Sequence, residues 1–140
     1  MNSALVPLPI VIPLFASALT VIFYRFHLVQ RTITLAALTA SVGISIGLLV
    51  QADEHTVVKM DAGGWAAPLG ITYVVDRLSA IMLVTSSLML LIVMIYAIGQ
   101  HGVEDHHVGF DPIYLVLAAG VSASFVTGDM FNLFVAFEMM

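Results

Sequence analysis

Long apolar runs broken by short polar stretches govern this chain. Four runs cover residues 4–24, 32–50, 77–98 and 111–127, and a fifth opens at 130 and continues to 140. At about 1.5 Å of rise per residue, helices of roughly 17–22 residues match a hydrocarbon core about 30 Å thick. The pattern therefore predicts membrane-spanning helices, four of them complete and one begun.

The polar breaks differ in character. Residues 25–31 form a short connection with Arg25 and Arg31 at its ends. Residues 51–75, "QADEHTVVKMDAGGWAAPLGITYVV", form the longest connection. Trp65 and Tyr73 suit the aromatic belt at a membrane interface. "GITYVV" is rich in β-formers and reads either as a strand or as the first turn of the next helix. A third break, "GQHGVEDHHVGF", precedes Asp111, and Gly128–Asp129 makes a tight turn into the fifth helix.

Local signals refine the helices. Pro7 and Pro9 fall near a first turn, where a missing N–H costs little, whereas Pro13 should kink the first helix. Gly43 and Gly47, with Ala36, Ala37 and Ala40 nearby, offer a face for close helix packing in lipid. Asp76 is placed to cap the third helix. Asp111 reads as the N-cap of the fourth, with Pro112 at its first helical position.

Composition agrees with lipid as the solvent. Residues of the hydrophobic class make up 61% and charged residues 9%, against about half and about a quarter in soluble domains. There are no cysteines, which excludes disulfides and thiolate metal sites. Four Lys+Arg against nine Asp+Glu give a net charge of −5, which argues against nucleic acid as a partner. The first positive charge, Arg25, follows the first apolar run rather than preceding it, so that run reads as a retained helix and not a signal peptide. The expected architecture is an all-α integral membrane protein, a single membrane domain over residues 1–140. Lysines and arginines divide evenly: Arg25 and Arg31 on one side, Lys59 and Arg77 on the other. The first loop is given precedence, which places the N-terminus and the 51–75 loop outside the cytoplasm.

One acid stands out. If the fifth helix starts at Asp129, Glu138 lies about 13 Å along it, near the middle of the hydrocarbon. A carboxyl there is disfavoured by at least about 2.5 kcal/mol on insertion scales and marks a functional site by default. It either takes up a proton or pairs with a cation. Glu138 is thus the candidate proton relay, weighed against a carboxyl that is simply kept neutral. Phe131, Phe134 and Phe137 recur beside it at spacing three; Phe134, one turn away, could exclude water, although such a stripe is more often plain surface. Asn132 is either an interhelical contact or interfacial. Asp76 and Arg77 are read as a cap and a snorkelling arginine, or else as a charge pair at a cavity mouth. Asp129 is most simply a helix cap. His101, Glu104, Asp105, His106 and His107 lack metal-site spacing and read as a solvated loop. No phosphate loop, nucleophile elbow or haem pattern is present, and no cofactor or metal is expected.

Two stretches carry a resemblance. "GGWAAPLGITYVVDRLSAIML", residues 63–83, and "FVTGDMFNLFVAFEMM", residues 125–140, resemble the D-type subunits of the Mrp-type Na+/H+ antiporters. That family also supplies the proton-pumping membrane subunits of respiratory complex I. The order of the runs extends the resemblance to essentially the whole chain. The resemblance implies a bundle of about fourteen helices, of which this chain is the N-terminal portion, cut within the fifth. It implies that Glu138 matches the family's fifth-helix glutamate, which pairs with a lysine in the seventh helix. It further implies a prokaryotic cell-membrane location and membrane-subunit partners in a complex exchanging Na+ for H+. The alternatives are a proton-pumping subunit of a complex I-like or membrane-bound hydrogenase assembly, and a structural subunit that conducts nothing.

Overall fold

The computed structural model describes residues 5–55, 57–61, 70–99 and 109–140. Trp65 and the candidate loop residues His101, Glu104, Asp105, His106 and His107 lie outside them. The described elements are α1 (Leu8–Ile22), α2 (His27–His55), β1 (Val57–Asp61), β2 (Thr72–Asp76), α3 (Arg77–Gly99), α4 (Phe110–Val126) and α5 (Met130–Met139). The fold is therefore mostly helical rather than all-α. Part of the long 51–75 connection pairs as two antiparallel strands, and "TYVVD" is strand and not a helix turn.

α4 packs against α1, α3 and α5, and α2 packs against α1 and α3. The surface so formed is inverted relative to a soluble protein. Leu28 is 81% exposed, Ile113 71% and Phe15 66%, whereas Thr20, Thr34 and Ser45 are fully buried. Small and hydroxylated side chains face inward, where they allow close backbone approach, and large aliphatic and aromatic ones face outward, as lipid demands. α2 from His27 to Asp53, and α3, are long and apolar enough to cross a membrane; α1, α4 and α5 are shorter apolar helices. α1 runs through Pro13 without interruption.

The strand pair closes one end of the bundle. Val58 faces Val75 in the antiparallel register. Side chains directly opposite share one face of the sheet, and both valines are buried with Val6, Leu48, Ala52, Ala80, Leu83 and Val126. β2 also reaches the α4–α5 turn. Tyr73 pairs with Thr127 in an isolated antiparallel bridge, and the Gly128 N–H donates to the Thr72 carbonyl at 2.8 Å.

One sequence expectation changes. Asp111 is not the N-cap of α4: the helix begins at Phe110, its cap is Gly109 in the left-handed region at φ 103°, and no side chain caps it. Asp111 instead sits inside the first turn and is buried. The Gly43–Gly47 face packs closely on nothing among the described residues, since a Cβ at either position meets no atom within 4 Å.

Candidate functional site

α5 is set in place at its first turn. Asp129 has extended backbone geometry, and its carboxylate accepts from the Phe131 N–H at 3.1 Å. It thereby satisfies one of the orphan donors of the helix start. The Asn132 amide donates to the Thr127 hydroxyl at 2.9 Å, and that hydroxyl donates to the Asp129 carbonyl at 3.1 Å. Asn132 is thus a bracing contact within the turn.

Further along, α5 lies close on α4. Ala136 is 2% exposed and joins Ile10, Ala119 and Ala123 in a small core. A Cβ on Gly120 would stand 3.0 Å from Met140 Cγ and 3.1 Å from the Ala136 carbonyl, so the absence of a side chain at Gly120 is what admits α5 at this distance. Two residues correspond to roughly 200° around a helix, which puts Glu138 on the face of α5 away from Ala136. Glu138 is exposed, and it shares that face with Phe131, 70% exposed, and Phe134, 61% exposed. Among the described residues it has neither a hydrogen bond nor an ion pair.

The other candidates gather at the end closed by the strands. Asp76 and Ser79 form a reciprocal cap. The Asp76 carboxylate accepts from the Ser79 N–H at 2.7 Å and from its hydroxyl at 2.5 Å, while the Asp76 N–H donates back to that hydroxyl at 2.9 Å. The Ser79 hydroxyl, and after it the Ser79 N–H, hold the Asp76 carboxyl below its ordinary value. A lowered folded value means that the stabilisation is complete above the ordinary aspartate range and is lost as pH falls through the lowered value. Asp76→Ala should lower stability by about 0.5–2 kcal/mol at neutral pH. In detergent melts of wild type and variant, that gap should close only below about pH 4.

Asp76 and Arg77 are not partners. The Arg77 guanidinium pairs with the Asp53 carboxylate at the end of α2 and also reaches the Asp53 carbonyl at 3.4 Å. Both side chains are about two-thirds exposed, at 64% and 67%. An exposed pair of this kind contributes about 0–1 kcal/mol. A double-mutant cycle on Asp53→Asn and Arg77→Gln should return a coupling no larger than that. Asp76, Arg77, Asp129 and Asn132 thus share one end of the bundle, and Glu138 lies about 13 Å further along α5. Sequence reasoning missed Asp53, Ser79, Thr127 and Gly120. Only Ser79 left a local signal, three residues after a capping aspartate.

Comparison with known proteins places this geometry in a family context. No family profile matches the chain. The chain is 35% identical over 136 residues to the D-type Na(+)/H(+) antiporter subunit of Alkalihalophilus pseudofirmus, covering 97% of the chain and 28% of that protein. It is 34% identical over 142 residues to the putative antiporter subunit mnhD2 of Staphylococcus aureus, covering 100% of the chain and 28% of that protein. It superposes on a chain in the structure of the Mrp complex from Dietzia sp. DQ12-45-1b with a TM-score of 0.92 at 27% identity, covering all of this chain and 26% of that one. A chain of an archaeal membrane-bound sulfane sulfur reductase shares the fold, with a TM-score of 0.84 at 21% identity, over 98% of this chain and 28% of that one. The resemblance read from residues 63–83 and 125–140 therefore extends over the whole chain, which spans little more than a quarter of its relatives' length.

Proposed function

We propose that this chain is part of a membrane subunit of a multisubunit Mrp-type cation/proton antiporter, and that Glu138 takes up and releases protons within it. The observation that carries this reading is the similarity to a D-type antiporter subunit along the full chain. The geometry around Glu138 supports it. α5 is capped, braced and packed through Ala136 so that the carboxyl stands on the opposite, exposed face of the helix. On that face a lysine of another helix could pair with it, flanked by Phe131 and Phe134.

In this reading α1 to α4 all cross the bilayer and α5 begins a fifth crossing. The protein is a multi-pass subunit of a prokaryotic cell membrane, held among other membrane subunits, and exchanges Na+ for H+ without a cofactor. Arg25 and Arg31 at the α1–α2 turn put that turn in the cytoplasm and the strand-closed end outside. Asp76, Arg77, Asp129 and Asn132 then belong to the outer rim, where they position α3 and α5 and do not carry protons themselves. The redox-linked alternative has a shared fold on its side, and the genes beside this one distinguish the two: small antiporter subunits, or quinone- and hydrogenase-type subunits.

Everted membrane vesicles test the reading. In cells deleted for the gene and complemented with it, added Na+ should dissipate a preformed pH gradient only when the gene is present. Equal dissipation without the gene would remove the proposal.

A further inference from the structure

At the end opposite the strands, two buried oxygens stand without partners. Asp111 is 9% exposed and Thr34 is 0% exposed. Asp111 Oδ1 and Thr34 Oγ1 are buried and accept or donate no hydrogen bond among the described residues. Both are unusual. A buried hydroxyl normally bonds to something, and a buried carboxyl is normally hydrogen-bonded and, when ionised, paired with a counter-charge.

Each of the two lies one helical turn before a leucine of the same buried cluster. α2 and α4 run in the same direction, since the chain reverses twice between them, into α3 and out of it. Leu38 on α2 and Leu115 on α4 are buried in one cluster. One turn back along each helix, on the same face, come Thr34 and Asp111. The surroundings are polar. The Ser17 hydroxyl donates to the Pro112 carbonyl at 3.0 Å, the Thr20 hydroxyl donates to the Ser17 carbonyl at 2.7 Å, and the Gln30 amide donates to the Thr20 carbonyl at 2.9 Å. The Gln30 amide oxygen adds an acceptor. α1, α2 and α4 thus meet around oxygen atoms, a carboxyl among them.

We propose that Asp111 and Thr34, with Gln30 beside them, form a binding site for a hard monovalent cation of the sodium class. Oxygen-only donors suit hard cations. One carboxylate among neutral oxygens balances one positive charge, whereas a divalent ion would leave an unbalanced charge in an apolar bundle. A bound water would meet the hydrogen-bonding needs of the two oxygens but would not neutralise the carboxylate. Among the fully buried members of this cluster α3 contributes Met94, and the Tyr114 hydroxyl of α4 is engaged with the Leu90 carbonyl. Arg25, His27 and Arg31 at the α1–α2 turn are the cationic groups at this end among the described residues, and a direct pairing of one of them with Asp111 is the competing arrangement. The site stands apart from Glu138 and does not depend on its role.

The test uses the assembled complex in detergent, in sodium chloride or in choline chloride of equal ionic strength. Sodium should protect Asp111 from a hydrophobic carbodiimide, read by mass spectrometry of its peptide, and choline should not. Thr34→Val should raise the sodium concentration needed for protection roughly tenfold or more. Sodium should also raise the unfolding midpoint, and that rise should vanish in Asp111→Asn while persisting in Glu138→Gln. Labelling of Asp111 indifferent to sodium, or a sodium-dependent rise unchanged in Asp111→Asn, overturns the proposal. If Asp111 is never labelled, the unfolding midpoints alone decide.

Discussion

If the proposed relay holds, replacing Glu138 with glutamine should abolish sodium-driven proton movement while the protein still inserts and assembles. Proton transfer by a placed carboxyl contributes about 10²–10⁴-fold, so antiport in vesicles should fall by at least about 100-fold. Assembly should survive because Glu138 is exposed and, among the described residues, makes no hydrogen bond or ion pair that the substitution could break. An amide is also less unfavourable than a charge at that depth, so insertion should improve slightly if it changes at all. Two readouts are needed together: the pH gradient in everted vesicles and the amount of assembled complex on native gels. Full antiport in Glu138→Gln would end the relay reading. Loss of the complex itself would show instead that the carboxyl is structural.

The second large effect is expected at Gly128. A Cβ there would stand 2.5 Å from Val74 Cγ2 and 3.0 Å from the Thr72 carbonyl. The backbone cannot retreat without breaking the Gly128 N–H to Thr72 carbonyl bond of 2.8 Å. Gly128→Ala should therefore lower stability by about 1–3 kcal/mol, the usual range for overpacking. It should also disturb the turn from which α5 starts. Val74→Ala removes the nearer clash and leaves the carbonyl contact, so the double variant should recover only part of the loss. Detergent melts of the single and double variants measure this directly. Simple additivity of the two substitutions would show that the contact carries no strain.

The helical character of the chain was legible because each apolar run carries its own information, as do the local caps at Asp76 and Asp129. The features that were not legible depend on approach through space. β1 escaped notice because "VVKMD" is too short for its alternation to stand out from a polar loop, and it needs β2 to be a strand at all. The partner of Arg77 could not be read, since Asp53 comes beside it only after the strands have brought α2 and α3 together. Asp111 misled because Asp-Pro is a strong helix-start signal, yet Gly109 takes the cap position. The carboxylate then falls too far into the first turn to serve as a cap, and it is buried instead. For Glu138 the sequence supplies depth along a helix and the structure supplies a face. The resemblance to the D-type antiporter subunits supplies the reason to expect a proton there.

The bridge from β2 to the α4–α5 turn has a consequence for how the protein is made. Its two sides, Thr72–Tyr73 and Thr127–Gly128, are separated in the chain by the whole of α3 and α4. A ribosome delivers β2 long before the α4–α5 turn that donates to it exists, so the two strands can pair with each other early but cannot dock on that turn. Val58, Val75 and Val126 can come together only after α4 has emerged. Chain order alone thus makes closure of this rim a late event in biogenesis, with the seating of α5 following it.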